Sequence, residues 1–595
     1  MFDAVLVANR GEIAIRVIRA CRELGVRSVA VYSEIDRDAP HVRHADEAHL
    51  LGPPPAAQSY LNQDRILEVA REAGVDAIHP GYGFLSENAD FARVCGDAGF
   101  VFVGPGPDAI AKMGDKLSAR AVALEAGVPV VPGTLEPTDD PDVASAFGDE
   151  YGYPVAVKAM FGGGGRGMKV VHDAAGIAAA LASAQREATA SFGRGECYLE
   201  RYLERPRHVE IQVLADTDGT TIHLGERDCS LQRRHQKLVE EAPAAGLSPD
   251  VRAKMGEAAV RVAKEMGYVN AGTCEFLLDD DGETFYFLEM NTRLQVEHPV
   301  TELVTGVDLV HEQLRIAAGD GMSLSQNDVQ LRGHAIEVRV NAEDPAQQFV
   351  PSPGHITELR APQGPWVRLD TGAESDYEVP RDYDSMIGKL IVWGQDRDTA
   401  RRRMSRALDE LVVTGVPTTI PFHKLAMRHE QFAAGEHSTV SVESEWDLTS
   451  LPPFDPSTRS TNGVNVPASP HEPAPTTREV ELTISGRPVH VTVHGRTAPG
   501  DELATTARRH HDRGGAATAA GGHGPELLAP MQGTLVTYAV EDGATVAAGD
   551  LICIIEAMKM ENHVLAHREG VVTGLTLAAG SSVEQGATLA RIGDE

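Results

Sequence analysis

The C-terminal part of the chain contains an internal repeat, and a repeat at fixed spacing restricts the fold more than composition does. Six glycine and aliphatic positions recur in the same order 37 residues later (533 to 570). The first series is Gly533, Gly543, Val546, Gly549, Ile552 and Ile555, and the second is Gly570, Gly580, Val583, Gly586, Leu589 and Ile592. Because glycine supplies the positive φ that tight turns between strands need, both series predict the same β-rich unit. We therefore predict a flattened all-β barrel with two-fold pseudosymmetry over residues 525–595, with a hairpin tip where its halves join.

Lys559 occupies that tip, in the stretch Glu556-Ala-Met-Lys-Met-Glu-Asn562. A single exposed lysine is most often an ordinary surface residue. At the tip of an internal dyad it instead favours covalent attachment of a cofactor, and the two methionines offer soft apolar contacts to a modifying enzyme. The Ala-Met-Lys-Met sequence resembles the biotin carboxyl carrier domain, which implies that a biotin protein ligase biotinylates Lys559. Lipoyl carriers resemble the same barrel but lack methionines on both sides, so lipoate is the alternative cofactor.

Size and charge limit the classes of function. The length of 595 residues predicts three or four domains. The net charge of −33 argues against nonspecific binding to nucleic acid or to an anionic membrane, so an anionic substrate requires a local basic pocket. The six cysteines are scattered, which predicts neither a disulfide framework nor a zinc site and fits the cytoplasm. No apolar run has bilayer length, and the N-terminal residues predict a strand, not a signal peptide.

Residues 1–112 alternate short apolar strands with helical segments, which is typical of a parallel α/β domain. The dinucleotide fingerprint G-x-G-x-x-G is absent after the first strand, and this argues against a nicotinamide cofactor. The Gly/Pro-rich loop 79–88 follows a strand, where parallel sheets place ligands. A purely structural turn explains this loop equally well.

Residues 113–330 contain four consecutive glycines, Gly162 to Gly165, between two strand-like segments. Such glycines let backbone N–H groups approach an anion, so the run, with Lys158 before it, favours a loop that covers nucleotide phosphates. A flexible linker is the alternative. The run is not a Walker A loop, because Met168 and Lys169 stand where that motif requires Lys and Ser or Thr.

Glu275 and Glu289 are placed symmetrically about a turn sequence that ends at Gly282, so a hairpin centred there pairs the two carboxylates. Strand alternation puts Asn291 on the face of Glu289. Two carboxylates and an amide among apolar neighbours need a cation, and oxygen ligands suit Mg²⁺ (or Mn²⁺) bridging to a nucleotide phosphate. The alternative is a pair of exposed strand acids.

A row of polar residues follows this hairpin. Arg293, Gln295 and Glu297 alternate, so an extended backbone would present on one face a cation for an oxyanion, an amide donor and a carboxylate base. Upstream, the segment 226–240 concentrates basic side chains in an otherwise acidic protein: Arg233, Arg234, His235 and Lys237. This segment predicts the local basic pocket, with a solvated charged surface as the alternative.

These motifs occur in order with three others, Met113-Gly-Asp-Lys116, His208-Val-Glu-Ile-Gln212 and Val338-Arg-Val-Asn-Ala-Glu-Asp-Pro345. In this combination the chain resembles the biotin carboxylase family of ATP-grasp enzymes and, with its carrier, the α chain of a bacterial acyl-CoA carboxylase. The resemblance implies an ATP set of Lys116, Lys158, Gly163, Gly164, Gly165, Glu200, Leu203, His208, Gln232 and His235. It implies a metal set of Glu275, Glu289 and Asn291. It implies a bicarbonate set of Lys237, Arg293, Gln295 and Val296, with Glu297 as the base and Arg339 stabilising the biotin enolate.

The remaining residues complete an α/β multidomain architecture. Residues 331–446 are rich in strands, with a helical segment at 397–411, and are expected to close the carboxylase. Residues 447–524 have linker composition, but alternation over 479–493 predicts one β hairpin, a candidate docking segment for a partner. The expected order is an α/β domain (1–112), an ATP-grasp domain (113–330), a β-rich subdomain (331–446), a linker with a hairpin (447–524) and a biotinyl domain (525–595).

The resemblance implies ATP- and bicarbonate-dependent carboxylation of biotin on Lys559, the first step towards malonyl-CoA or methylmalonyl-CoA. No carboxyltransferase-sized segment is evident, so a separate β subunit is expected to pass the carboxyl group to acetyl-CoA or propionyl-CoA. The sequence does not specify the acyl-CoA, and dimers of the carboxylase part are expected by resemblance. One alternative is a biotinylated scaffold that binds nucleotide without turnover, which the intact Glu297, Arg339 and Lys237 oppose. The other is an ATP-grasp ligase for an amine or peptide, which has no use for Lys559.

Overall fold

The computed structural model describes residues 1–134, 138, 140–159, 169–192, 197–455, 476–484, 487–495, 525–530, 533–557, 560–583 and 586–593. They divide into two units, Met1–Phe454 and Asp455–Glu595. The predicted glycine loop at Gly163 to Gly165 and the predicted attachment site Lys559 lie outside the described residues. Among the helices of the described residues, none combines the length and the apolar character that crossing a membrane requires.

A five-stranded parallel sheet begins the first unit, in the order β3-β2-β1-β4-β5. Its strands are β1 Ala4–Val7, β2 Arg27–Ser33, β3 Glu47–Gly52, β4 Ala77–His79 and β5 Val101–Phe102. The accompanying helices are α1 Gly11–Glu23, α2 Pro40–His44, α3 Gln63–Ala73, α4 Ala89–Asp97 and α5 Pro107–Gly114. Strands β2 and β3 are added on one side of β1, and β4 and β5 on its other side, so the strand order has a switch point between β1 and β4. Sheets of this kind bind ligands beside such a switch point. Asn9 Nδ2 donates there to the carbonyls of Pro80 (2.7 Å) and Tyr82 (2.8 Å), which fixes the loop after β4 at this edge.

A small antiparallel sheet in the order β7-β6-β8 follows, and we call it the lid sheet. Its strands are β6 Val155–Ala159, β7 Lys169–Val171 and β8 Cys197–Arg201, and the neighbouring helices are α6 Lys116–Glu125, α7 Pro141–Tyr151 and α8 Ala174–Phe192. Phe147, Val155 and Leu199 belong to its own buried core. The two strand-like segments predicted around the glycine run therefore pair with each other, with Val157 opposite Lys169.

An eight-stranded antiparallel sheet, the long sheet, crosses the predicted boundary at residue 330 in the order β13-β12-β9-β10-β11-β14-β21-β19. Its strands are β9 Arg207–Ala215, β10 Thr221–Arg233, β11 Gln236–Ala242, β12 Asn270–Leu278, β13 Phe285–Asn291, β14 His334–Asn341, β19 Val367–Thr371 and β21 Met386–Gly394. The β12–β13 hairpin pairs Glu275 with Glu289, as predicted. Because all eight strands belong to one sheet, residues far apart in sequence meet on one face.

Short strands and further helices complete the first unit. The strands are β15 Glu343–Asp344, β16 Val350–Pro351, β17 Gly354–Ile356, β18 Glu358–Arg360, β20 Tyr377–Val379 and β22 Val412–Thr414. The helices are α9 Pro249–Glu265, α10 His298–Thr305, α11 Leu309–Ala317, α12 Arg397–Glu410, α13 Ile420–Ala426 and α14 Glu430–Ala434. Helix α12, predicted at 397–411, buries Met404 and Leu408 in the same apolar cluster as Leu390 and Val392 of β21. This packing holds the β-rich subdomain on the long sheet.

The second unit contains the predicted hairpin, β23 Thr476–Ile484 paired with β24 Arg487–Gly495. It also contains two four-stranded sheets, β25-β32-β30-β27 and β29-β28-β26-β31. Their strands are β25 Glu526–Leu528, β26 Gly533–Tyr538, β27 Thr545–Val546, β28 Leu551–Ala557, β29 Met560–Leu565, β30 Gly570–Thr573, β31 Ser582–Val583 and β32 Thr588–Gly593.

The predicted flattened barrel is confirmed by the spacing of these strands. Strands β26, β27 and β28 begin at positions 533, 545 and 551, and β30, β31 and β32 begin 37 positions later, at 570, 582 and 588. Gly543 and Gly580, which correspond in the repeat, have φ values of 89° and 85°. Ala557 of β28 pairs with Met560 of β29, so these two antiparallel strands end on either side of position 559.

Candidate active site

One ammonium group lies among three carboxylates on a face of the long sheet. Lys237 Nζ, on β11, donates to Glu210 Oε2 (2.6 Å), Glu275 Oε1 (2.9 Å) and Glu297 Oε1 (2.7 Å). Glu210 of β9 and Glu275 of β12 are directly opposite each other in the sheet, so both side chains reach the same point. Burial lowers the pKa of Lys237, but the three carboxylates raise it well above its ordinary value. Lys237 therefore stays charged.

A guanidinium group holds the other side of Glu297. Arg339 of β14 donates from Nη2 to Glu297 Oε2 (2.9 Å) and from Nε to Glu240 Oε1 (2.6 Å). Burial raises the pKa of Glu297, but Lys237, Arg339 and Arg227 lower it below its ordinary value. Glu297 is therefore an ionised carboxylate with a cation on each oxygen, and only the ionised form of a carboxyl group can accept a proton.

The three predicted metal ligands lie together on the β12–β13 hairpin. Asn291 Nδ2 donates to Glu275 Oε1 (2.9 Å), and His208 Nε2 lies 3.0 Å from Glu275 Oε2. Glu289 lies opposite Glu275, and burial together with the charge of Glu275 raises its pKa. This excess of negative charge beside oxygen donors fits a hard divalent cation such as Mg²⁺.

The loop that follows β4 reaches the same region. Glu87 in this loop accepts from the backbone N–H of Thr292 (3.2 Å) and from Arg293 Nε (2.8 Å). Arg293 Nη2 also donates to Asn291 Oδ1 (2.8 Å). Arg293, the predicted anion-binding cation, is therefore held by the loop after β4 and by the β12–β13 hairpin together.

The predicted amide donor, Gln295, is buried in the turn after β13. Gln295 Nε2 donates to Glu275 Oε1 (2.8 Å), and Gln295 Oε1 accepts from Arg227 Nη2 (2.6 Å). The carbonyl of Val296 next to it accepts from Lys389 Nζ at 2.5 Å. A small anion bound beside Lys237 would therefore lie near the amide of Gln295 as well as the ammonium group.

The backbone of this row is not extended, and that part of the prediction is wrong. The chain turns after β13, and Glu297 is the N-cap of α10 with φ −81° and ψ 9°. Pro299, in the first turn of α10, favours a helix start at this point because it needs no N–H partner there. Arg293, Gln295 and Glu297 converge because the turn folds them towards the sheet, not because alternate residues share a face.

Four members of the predicted ATP set lie at the lid sheet and the elements around it. Lys158 of β6 forms an ion pair with Glu200 of β8, and Arg120 Nη1 lies 3.3 Å from the same carboxylate. Lys116 begins α6, and Leu203 is buried with Val131 and Tyr286 in a small apolar cluster. An aliphatic side chain of this kind can pack on a flat aromatic base, while the lysines match phosphate charge.

The other members of the ATP set that the structure describes lie on the long sheet. Gln232 of β10 is opposite Lys237 of β11, and His235 at the tip of that hairpin has a φ of 63°. His208, on β9, contacts Glu275 as described above. The long sheet therefore brings part of the predicted nucleotide set next to the metal and anion residues.

Comparisons with known proteins match this chain along nearly its whole length. Family models match in the order "Biotin carboxylase, N-terminal domain" (1–110), "Carbamoyl-phosphate synthase L chain, ATP binding domain" (115–325), "Biotin carboxylase C-terminal domain" (337–444) and "Biotin-requiring enzyme" (525–592). The biotin-dependent acyl-coenzyme A carboxylase alpha3 subunit of Mycobacterium leprae is 48% identical over 99% of this chain and 98% of its own length. This chain belongs to the biotin-dependent acyl-CoA carboxylase α-subunit family.

Solved structures match the carboxylase part of this α chain. The biotin carboxylase domain of a thermophilic 2-oxoglutarate carboxylase bound to bicarbonate is 47% identical, with a TM-score of 0.71 over 74% of this chain and 98% of that one. A biotin carboxylase complex with a β,γ-ATP compound from Campylobacter jejuni is 46% identical, with a TM-score of 0.68 over 74% and 98%. Membership in the family confirms the predicted fold class and the predicted cofactors, which are covalent biotin, ATP and Mg²⁺.

Several residues of the α-chain site were missed by sequence reasoning: Glu87, Glu210, Arg227, Glu240 and Lys389. Glu210 alternates with His208 and Gln212 among apolar residues of β9, and this period-two pattern was a usable signal. Arg227 and Glu240 carry no such signal, because their partners lie on other strands. Lys389 is fully buried on β21, where it pairs with Glu12 (3.1 Å) of α1 as well as binding the Val296 carbonyl.

Proposed function

We propose that this α chain uses ATP and bicarbonate to carboxylate biotin on Lys559, and that a separate carboxyltransferase β subunit passes the carboxyl group to acetyl-CoA or propionyl-CoA. The observation that carries the proposal is Glu297, a buried carboxylate with Lys237 on one oxygen and Arg339 on the other. A carboxylate in this state can take a proton from bicarbonate, while the two cations offset the charge of a bound anion.

Proton transfer to Glu297 also changes what its two cations can do. While Glu297 is ionised, its negative charge partly neutralises the positive charges of Lys237 and Arg339. When it accepts a proton, that negative charge is neutralised, and both cations become stronger donors to an anionic ligand. Proton transfer and stabilisation of developing negative charge are thereby coupled through the same side chains.

The ligand sets complete the assignment. Bicarbonate binds Lys237, Arg293, Gln295 and the backbone at Val296, and Arg339 faces the anionic form of the biotin ureido group. Glu275, Glu289 and Asn291 hold Mg²⁺, which when bound neutralises charge on the nucleotide phosphates. ATP binds a set that combines the lid sheet with the long sheet: Lys116, Lys158, Gly163, Gly164, Gly165, Glu200, Leu203, His208, Gln232 and His235.

The remaining assignments concern the whole chain. We assign residues 1–112, 113–330 and 331–446 to the carboxylase, 447–524 to a linker with a docking hairpin, and 525–595 to the carrier. A biotin protein ligase modifies Lys559, and the carboxylase part pairs into dimers. A cytoplasmic location is supported by the six cysteines, which are buried and form no disulfide. The M. leprae relative is described as a subunit, and this supports a separate β subunit.

Labelled bicarbonate tests the carboxylase and the carrier separately. Protein biotinylated by a coexpressed ligase should hydrolyse ATP only with bicarbonate present and should retain protein-bound label. Lys559→Arg should lose the label, while free biotin still supports slow turnover. Glu297→Gln should lose both activities, and Lys254→Arg, at an exposed position of α9, serves as the matched control.

Two outcomes would contradict this assignment in different ways. Label retained by Lys559→Arg would show that the carrier residue is wrong. ATP hydrolysis that ignores bicarbonate would show that the ATP-grasp site acts on another acceptor. The acyl-CoA is identified by copurifying the β subunit and comparing acetyl-CoA with propionyl-CoA as acceptors.

A further inference from the structure

Arg227 of β10 is fully buried and makes five hydrogen bonds, one for each N–H of its guanidinium group. The five acceptors come from three different elements and the turn after β13: Glu210 Oε1 (2.5 Å), Gln212 Oε1 (2.7 Å), Thr301 Oγ1 (3.0 Å), Thr273 Oγ1 (3.1 Å) and Gln295 Oε1 (2.6 Å). Burial lowers its pKa, but the charges of Glu210 and Glu297 raise it above its ordinary value. A buried cation with every donor used acts on its neighbours and not on solvent.

Arg227 Nη2 fixes the orientation of the Gln295 amide. A guanidinium group only donates, so the amide atom 2.6 Å from Arg227 Nη2 must be the oxygen. The amide nitrogen then points the other way and donates to Glu275 Oε1 (2.8 Å). A flipped amide would bring N–H groups against the N–H groups of Arg227. Gln295 therefore offers hydrogen-bond donors, and not its oxygen, to the side where an anion would bind.

Arg227 Nε is linked to Lys237 through the carboxylate of Glu210. Glu210 Oε1 accepts from Arg227 Nε (2.5 Å), and its other oxygen, Oε2, accepts from Lys237 Nζ (2.6 Å). Glu210 has no exposed surface and is directly opposite Glu275 in the sheet. The ammonium position is thus set by a carboxylate that Arg227 holds in place.

We propose that Arg227 is a positioning residue for bicarbonate. It turns the donors of Gln295 towards the anion and holds Lys237 at the correct place through Glu210. The inference rests on the proposed function, because it assumes that the anion bound by Gln295 and Lys237 is bicarbonate. Among the described residues, Arg227 makes no hydrogen bond to a member of the nucleotide set, so its effect should be confined to bicarbonate.

Substitution of Arg227 by lysine tests this assignment. Arg227→Lys keeps the charge, but an ammonium group has fewer N–H donors than the planar guanidinium group and cannot bond all five acceptors. The KM for bicarbonate should rise about tenfold, the size of one lost hydrogen bond to a charged group, while the KM for ATP stays within about twofold. Thr301→Val removes one acceptor that touches neither Gln295 nor Glu210, so it should leave both constants within about twofold.

A double-mutant cycle with Gln295→Ala separates positioning from a general structural role. If Arg227 acts largely through Gln295, the double variant should have a bicarbonate KM no more than about twofold above that of Gln295→Ala alone. Fully additive changes, or equal changes in the KM for ATP, would overturn the proposal. If Arg227→Lys does not fold, Thr273→Val replaces it in the cycle, because Thr273 accepts from Arg227 Nη2, the nitrogen that also donates to Gln295. An unchanged bicarbonate KM in Thr273→Val would then refute the positioning role. Wild-type protein without bicarbonate-dependent hydrolysis would instead refute the proposed function.

Discussion

Replacing Lys237 by methionine should destabilise the first unit and inactivate it, and the size of the effect follows from the contacts. Lys237 is 11% exposed and holds three buried carboxylates, Glu210, Glu275 and Glu297. Removing one partner of a buried ion pair costs about 3–5 kcal/mol. Other cations remain on these carboxylates, so we expect about 3 kcal/mol. With an unfolding entropy of about 2.1 cal/mol/K per residue over Met1–Phe454, the Tm should fall by about 3 °C.

The destabilisation caused by Lys237→Met should become smaller as the pH falls. In the wild type the pKa values of Glu275 and Glu297 are lowered, so the stability they contribute is present above the unfolded pKa of about 4.3 and is lost as the pH falls through their folded values. Without Lys237, the remaining cations compensate less of the cost of burial, and these pKa values shift upwards. The folded variant then binds protons more readily than its unfolded form, and it gains relative stability as the pH falls. The difference in Tm should be largest at about pH 7–8 and should narrow towards about pH 5.

Differential scanning calorimetry of wild type, Lys237→Met and Lys254→Met across this pH range measures the effect. Lys254 is an exposed lysine of α9, and its replacement should change the Tm by less than 1 °C, roughly the scatter expected for surface substitutions. Bicarbonate-dependent ATP hydrolysis by Lys237→Met should fall about 10²–10³-fold, as for loss of one oxyanion donor. A Tm difference no larger than that of the control, or one that grows as the pH falls, would refute the charge-balance reasoning.

Three further outcomes are expected. Glu337 is buried, and neither of its oxygens has a hydrogen-bond partner among the described residues; burial and Glu240 raise its pKa well above its ordinary value, although Lys389 lowers it. Glu337→Gln should therefore keep biotin carboxylation within about twofold at pH 7, and a tenfold loss would show that the ionised form is needed. Glu289→Gln should raise the Mg²⁺ concentration for half-maximal ATP hydrolysis about tenfold, chelation of divalent ions should stop it, and an unchanged Mg²⁺ titration would remove Glu289 from the metal set. Gly549 has a φ of 96° and open space at its Cβ position, so Gly549→Ala should lower carrier-domain stability by about 1 kcal/mol in urea titrations through backbone strain alone, and no change would contradict that.

The sequence predicted features that depend on local chemistry. The 37-residue spacing predicted the barrel because both copies satisfy the same turn requirements, and strands begin at matching positions in both. The turn at Gly282 predicted the pairing of Glu275 with Glu289, since hairpin register follows from turn position. The extended row from Arg293 to Glu297 was wrong because alternation alone does not show where a strand ends and a helix begins.

Contacts between distant strands could not be predicted in the same way. Lys237 meets carboxylates 27, 38 and 60 positions away, and Arg227 meets Gln295 across 68 positions. The order of strands in the long sheet decides these contacts, and neighbouring residues do not encode that order. For the same reason, Glu210 and Glu240 gave at most a weak signal of their place beside Lys237 and Arg339.

The sequence by itself determined the elements, the repeat and the types of chemical group that the chain brings to its site. Turn residues, alternation and glycine φ act over a few positions, and the sequence displays them directly. Only the tertiary structure decided which charge compensates which, because the pKa of a buried group depends on all charges within several ångströms, whatever their distance along the chain. Glu297 is ionised in its buried position because the fold places Lys237 on one of its oxygens and Arg339 on the other.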